Sequence, residues 1–168
     1  LILLIIGGND TTRNSISGGL LALMQNPDQF VKLRTDPSLV KSLVPEIIRW
    51  QTPLTHMRRT TTEEVVINGV TIPAGAKVVM WYLSGNRDNQ VIDDADQFVI
   101  DRTNPRHHLS FGFGIHRCVG NRLAEMQVRV LWEEILSREL AFELMGKPER
   151  TYSNVVHGFT ALPVKVTQ

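Results

Sequence analysis

The apolar positions of the first 25 residues come in blocks too long for a strand. Leu1-Ile2-Leu3-Leu4-Ile5-Ile6 is wholly apolar, GGNDTTRNSISGG is polar and glycine-bearing, and Leu20, Leu21, Leu23 and Met24 restore the apolar signal before Asn26-Pro27. This predicts one long helix over 1–25, stopped by the proline. Pro27-Asp28 opens a second helix through Leu33, and Asp36-Pro37-Ser38 opens a third, carrying Val40, Leu43, Ile47 and Ile48 towards Pro53. Beyond Pro53 the pattern changes. Glu64-Val65-Val66-Ile67 and Val70-Thr71-Ile72 flank Asn68-Gly69, a strong signal for a tight hairpin. Lys77-Val78-Val79-Met80-Trp81-Tyr82-Leu83 reads as a strand or as the start of a buried helix, and residues 84–110 read as a polar loop too long to be idle. An apolar stripe at Val119, Leu123, Met126, Val130 and Leu131 marks a last long helix over Val119–Leu136, and Asn154–Val166 reads as a closing hairpin. The expected class is mainly α with a minor β component.

With 168 residues, 42% of them hydrophobic, and no repeat or linker, the chain forms one globular unit. Eighteen basic and seventeen acidic residues leave a net charge of +1, which argues against nucleic acid or an anionic membrane as partner. The run Leu1–Ile6 is far short of the roughly 20 apolar residues that span a bilayer, so it is read neither as a membrane anchor nor as a signal peptide. Opening inside an apolar run, the chain reads as the later part of a longer protein, expected to be inactive alone. One cysteine forms no internal disulfide and suits a reducing compartment, the cytoplasm.

That cysteine lies in FGFGIHRCVGNRLAEMQ, residues 111–127. A lone cysteine is most often a small buried apolar side chain, but its neighbours point elsewhere. Gly112, Gly114 and Gly120 let the backbone approach something flat, Phe111 and Phe113 offer apolar cover, and the following helix favours an anion at its N-terminus. An anionic sulfur in a dry loop suits a metal.

The run Phe111-Gly112-Phe113-Gly114-Ile115-His116-Arg117-Cys118-Val119-Gly120 resembles the haem-binding loop of the cytochrome P450 superfamily, Phe-x-x-Gly-x-(Arg or His)-x-Cys-x-Gly. The resemblance implies that Cys118 is the axial thiolate of haem b iron, that His116 lies near a haem propionate, and that Phe111, Gly112 and Gly120 belong to the same site. Gly7-Gly8-Asn9-Asp10-Thr11-Thr12 resembles the superfamily's distal oxygen-binding segment. Two glycines cost about 1 kcal/mol each in a helix interior. The alternatives are an ordinary kinked helix, or a gap that something occupies. By resemblance, Gly7 and Gly8 leave room for the ring and for dioxygen, the co-substrate, while Asp10 and Thr11 relay protons.

Glu46-Ile47-Ile48-Arg49 is an i, i+3 ion pair, ordinarily a solvated contact. It resembles the superfamily's Glu-x-x-Arg pair, and Arg102 falls where the third member of that structural network belongs. Arg59 aligns with a propionate-binding arginine, unless it is only a solvated strand end. The stretches HMRRT, VVMWYLSGNRD and HLSFGFGIHRCVGNRLAEMQ are similar to the soluble bacterial alkane hydroxylases. That similarity implies terminal hydroxylation of medium-chain alkanes by residues 1–168 acting as the C-terminal portion of a single P450 domain. Another apolar substrate, a terpene, fatty acid or steroid, is the alternative. Leu54, Thr55, Val156 and His157 would face substrate. A 2Fe-2S ferredoxin and an FAD-containing NAD(P)H ferredoxin reductase would deliver electrons, through a face made basic by Arg106, Arg117 and Arg122 unless these are merely scattered arginines. A remote alternative has His107, His108, His116 and Cys118 ligating structural zinc.

Overall fold

The structure, a computed structural model, describes residues 2–168; Leu1 and the side chains of Ile2–Ile6, which carry the apolar start of the first helix, lie outside the described residues. Helix α1 (Ile2–Gln25) runs unbroken through its glycines, α2 (Pro27–Thr35) starts on its proline, and α3 (Val40–Gln51) follows a single 3₁₀ turn at Pro37–Leu39. That turn is capped by Asp36, whose carboxylate accepts from the Ser38 backbone N–H at 3.0 Å. With the fourth long helix, α5 (Asn121–Ser137), these elements enclose the core: Leu23, Leu33, Leu43, Ile47, Val128 and Trp132 among others, closed by Phe98 and Ile100 from the polar segment. Helix accounts for 41% of the chain and strand for 19%, so the mainly α class holds. No described helix is long and apolar enough to cross a membrane.

Helices α1 and α3 approach closely because α1 presents glycines to α3. A Cβ on Gly19 would lie 2.6–2.8 Å from three side-chain carbons of fully buried Ile47. Gly19→Ala gains about 1 kcal/mol of helix propensity, but overpacking a closed core costs about 1–3 kcal/mol. The balance is a loss of about 1 kcal/mol, read by denaturant unfolding of the complete protein; a stabilised variant would show that the two helices can part.

The strands form four separate antiparallel pairs. Strands β1 (His56–Thr60) and β4 (Lys77–Trp81) pair with His56 opposite Trp81. Strands β2 (Val65–Ile67) and β3 (Val70–Ile72) make the expected hairpin, Asn68 and Gly69 both taking positive φ. The ambiguous run 77–83 is both things in turn: it leaves β4 directly into α4 (Tyr82–Gly85). The closing hairpin expected over Asn154–Val166 is not formed. Instead β7 (Phe159–Ala161) returns to β6 (Glu149–Arg150), and β8 (Val164–Thr167) returns to β5 (Ala141–Leu144). Residues 154–157 hydrogen-bond to 53–55, and the Pro163 carbonyl, between β7 and β8, accepts from the Met145 N–H.

A second correction concerns α5. Val119 precedes the helix and is 91% exposed, and Leu123, Met126 and Val130 are exposed too; Val128, Trp132 and Ile135 are the buried residues, with Leu131 packed beside them. The helix carries two apolar faces, and only the one at spacing 4 and 3 meets α1 and α3.

Candidate functional site

One buried ion network organises the structure. Glu46 and Arg49, one turn apart on α3, are 0% and 1% exposed. Arg49 donates bidentately to Glu46, Nε to Oε2 at 2.7 Å and Nη2 to Oε1 at 2.8 Å. Its remaining donors reach the backbone carbonyls of Asn86 at 2.7 Å, Ala95 at 2.8 Å and Gln97 at 2.9 Å. Arg102 brings its Nε to Glu46 Oε2 at 3.0 Å, and also donates to the carbonyls of Asp93, Asp94 and Gln97. Val99 N–H fills the carboxylate's last direction at 2.9 Å. The structure thus brings Glu46, Arg49 and Arg102 together, and uses them to fold the long polar segment 86–102 onto α3.

Asn86 extends this support, and nothing in the local pattern singled it out. Fully buried, it donates through Nδ2 to Thr52 Oγ1 and Ser110 Oγ, both at 2.8 Å, and its Oδ1 accepts from the Leu109 N–H at 2.7 Å. Ser110 Oγ donates in turn to the Ile48 carbonyl at 2.8 Å. The start of the cysteine loop is therefore fixed to α3 through one asparagine.

The loop itself is shaped by glycines. Gly112 and Gly114 have φ of 68° and 72°, conformations that disfavour other residues, and a Cβ on Gly112 would also lie 3.1 Å from the Tyr82 hydroxyl. The Cys118 N–H donates to the Phe111 carbonyl at 2.8 Å, closing the loop. Phe111 packs on the core, whereas His116 and the free thiol of Cys118 are exposed. Helix α5 begins at Asn121 with Gly120 as N-cap and no side chain capping it, and a Cβ on Gly120 would sit 3.9 Å from the Cys118 sulfur. Apolar Phe113, Ile115 (98% exposed) and Val119 flank the thiol.

Beside the loop, His108 packs at a tilt against Phe111 with ring centroids 5.5 Å apart, and its Nδ1 accepts from the Ser110 N–H at 3.3 Å. Burial pushes its pKa down to about 4, against the attraction of Glu125. The unfolded chain then binds more protons than the folded one between pH 4 and the ordinary imidazole value of about 6.5. The stability tied to neutral His108 is complete above that value and lost as pH falls towards 4. His108→Phe should flatten the acid limb of unfolding free energy by up to about 1.4 kcal/mol per pH unit in that window, measured by denaturant unfolding at several pH values.

On α1, Gly7 and Gly8 are exposed and a Cβ on either would meet nothing within 4 Å. Thr11 Oγ1 donates back to the Gly7 carbonyl at 2.7 Å, and Asp10 pairs with Arg13 at 2.8 Å in the open. Leu54 bridges to Val156, and Thr55 hydrogen-bonds through its N–H to the Val155 carbonyl at 2.9 Å and through Oγ1 to the Asn154 carbonyl at 2.7 Å. His157 joins the same cluster by bonds to Gln51 and Arg150. Arg59 stands apart on β1, half-buried, its Nη1 on the Arg58 carbonyl, with no carboxylate partner among the described residues. Arg106 and Arg122 meet at Glu125, beside Lys41 and Arg129 in a groove of about 390 Å³, while Arg117 stays on the exposed loop.

These residues fit a planar, largely apolar group bearing a metal: one accessible sulfur donor in a loop with exposed apolar side chains, glycines without side-chain bulk on α1, and a guanidinium on β1 with no carboxylate partner among the described residues. The zinc alternative does not hold, since among the described residues no group of three or more His, Cys, Asp or Glu side chains could hold a metal ion, and His108 is committed to Ser110 and Phe111.

Comparison with known proteins agrees. Linalool 8-monooxygenase of Pseudomonas putida is 49% identical over 164 residues, covering 98% of this chain and 40% of that protein. Cytochrome P450-153 from Novosphingobium aromaticivorans superposes with a TM-score of 0.96 at 51% identity, over 99% of this chain and 42% of the other. CYP153D17 from Sphingomonas sp. PAMC 26605 also gives 0.96, at 52% identity, over 100% and 42%. The chain therefore spans about 40% of the length of the relatives it matches. The family model described as Cytochrome P450 matches residues 1–166, and the chain belongs to that family.

Proposed function

We propose that the complete enzyme is a haem-thiolate monooxygenase that hydroxylates the terminal methyl group of medium-chain alkanes, with Cys118 as its axial donor. The observation that carries this reading is the exposed Cys118 sulfur in a loop of fixed glycine geometry that also exposes Phe113, Ile115 and Val119. The stoichiometry is one alkane, one dioxygen, two electrons and two protons to one alcohol and one water. Haem b, the prosthetic group of the family, supplies when bound the activation of dioxygen that no side chain performs.

Residues of this chain do the rest. Arg59 and His116 would hold the propionates, Arg59 having no competing carboxylate among the described residues. Gly7 and Gly8 would leave α1 clear of side chains where it meets the group, since a Cβ on either meets nothing within 4 Å. Thr11 already directs its hydroxyl hydrogen to the Gly7 carbonyl, so its oxygen lone pairs are free to accept a proton donor, and solvent-exposed Asp10 resupplies protons from water. Leu54 and Val156 form part of an apolar wall that binds alkane by burial, about 0.8 kcal/mol per methylene. The groove of Arg106, Arg122, Lys41 and Arg129 suits an acidic ferredoxin, itself reduced by an FAD-containing NAD(P)H reductase. One unpaired thiol suits the reducing cytoplasm.

Turnover of n-octane under ¹⁸O₂ tests this: 1-octanol should carry one labelled oxygen, and label-free alcohol would overturn the reading. In Thr11→Ala the alcohol yield should fall by on the order of 10²-fold while NAD(P)H oxidation continues and hydrogen peroxide accumulates; unchanged coupling would remove Thr11 from the relay. A terpene is the second reading, favoured by the similarity to linalool 8-monooxygenase, and preferential turnover of linalool over n-octane would select it.

A further inference from the structure

The C-terminal end of α3 is joined to loop 153–158 by a set of hydrogen bonds separate from the Glu46 network. Gln51, buried, donates its Nε2 to the His157 carbonyl at 2.5 Å, and its own carbonyl lies 2.5 Å from His157 Nδ1. The His157 N–H donates to the Pro53 carbonyl at 2.9 Å. One residue further, Gly158 packs on α1 so closely that a Cβ would lie 2.6 Å from the amide atoms of Asn14, and Asn14 Oδ1 accepts from the Phe159 N–H at 3.1 Å. Asn14 and Gln51 are two of the few buried uncharged polar side chains, Gln51 bonded to His157 within the loop and Asn14 to Phe159 at its end. Burying an amide is unfavourable unless it is hydrogen-bonded, so the arrangement holds the loop at one distance from α1 and α3.

The tautomer of His157 follows from its neighbours. Its Nε2 faces Arg150 Nη1 at 3.2 Å, and a guanidinium only donates, so Nε2 accepts. The ring N–H is therefore on Nδ1 and donates to the Gln51 carbonyl. Burial holds the His157 pKa below the usual imidazole range, opposed by the bond to Gln51 and reinforced by Arg150 and Arg87, so the ring is neutral at pH 7. Both nitrogens are taken by the protein, which leaves none for a substrate.

We propose that His157, with Gln51 and Asn14, is a positioning latch that fixes loop 153–158 against α3 and so sets the position of the wall that the bridged pair Leu54 and Val156 presents to substrate. The inference rests on the reading of Leu54 and Val156 as substrate-facing; His157 acts through them rather than by touching the alkane. An asparagine at 157 places an amide N–H near the position of Nδ1, whereas phenylalanine keeps the bulk and removes the donor.

The test uses the complete haem-loaded enzyme, titrated with n-octane by its optical spin-state shift and assayed for the position of hydroxylation. His157→Phe should raise the Kd for n-octane about tenfold, the loss of roughly one buried hydrogen bond, and move hydroxylation inward from the terminal carbon. His157→Asn should stay within about threefold of the unaltered enzyme. Haem content and the spectrum of the reduced carbonyl form should not change in either. Native binding and product pattern in His157→Phe, or equal impairment in His157→Asn, would overturn the latch. If His157→Phe fails to load haem, Gln51→Met decides, since it keeps volume against Gly18 and loses the donor: weaker n-octane binding supports the latch and unchanged binding overturns it. If the unaltered enzyme shows no shift with n-octane, the alkane reading fails separately, and the same comparison made with linalool judges the latch.

Discussion

Arg49→Leu destabilises the complete enzyme by about 3–5 kcal/mol, the cost of breaking a buried ion pair by removing one partner. Arg49 makes five hydrogen bonds, two to Glu46 and three to backbone carbonyls 37 to 48 residues away, and all but the one to Gln97 are buried. Leucine leaves Glu46 with Arg102 and the Val99 N–H, so the carboxylate keeps some compensation, but the carbonyls of Asn86 and Ala95 lose their Arg49 donor. Glu46→Leu is worse, because two guanidinium groups then face each other without an anion. Arg102→Leu is milder, since Arg102 lies at the edge of the network with its side chain 9% exposed. Arg49→Lys does not rescue: a single ammonium cannot present the planar fork that reaches both carboxylate oxygens and the carbonyls at once. Denaturant unfolding of the haem-loaded protein ranks the four variants. An Arg49→Leu loss under about 1 kcal/mol would mean that water enters the network and screens it.

The same network shows why the chain was only partly readable. Glu46 and Arg49 at i, i+3 look identical on a solvated helix and on a buried one, and what decides is the row of carbonyls from Asn86 to Gln97, in a segment with no periodicity at all. The cysteine loop was legible because its determinants are local: two glycines forced to positive φ, and an N–H from Cys118 to Phe111 seven residues away. The Asn68-Gly69 hairpin was legible for the same reason. Helix α5 was found, but not its inward face, because Val130 and Val128 are equally apolar and only α1 and α3 choose between them. Strands β5 and β8 pair across some twenty residues, and Gln51 meets His157 at a separation of 106, so a single polar residue at either end carries no signal of its partner. Local chemistry is written in short spacings; burial and pairing are decided by the remainder of the fold.

Cys118→His in the complete enzyme should abolish hydroxylation while leaving a folded, haem-containing protein. The loop is shaped by Gly112, Gly114 and the Cys118 backbone N–H, none of which the side-chain change alters. An imidazole is also an iron ligand, so the prosthetic group need not be lost. On the proposed ligation, the variant would lose the electron donation that an anionic sulfur supplies to iron. The reduced carbonyl form should move its Soret band from the long-wavelength position of thiolate ligation to the shorter one of nitrogen ligation, and alcohol from n-octane should fall to background. Cys118→Ser, with a weaker oxygen donor in nearly the same volume, should lose both the long-wavelength band and much of the haem. Full hydroxylation by either variant would mean that the sulfur of Cys118 does not hold the iron.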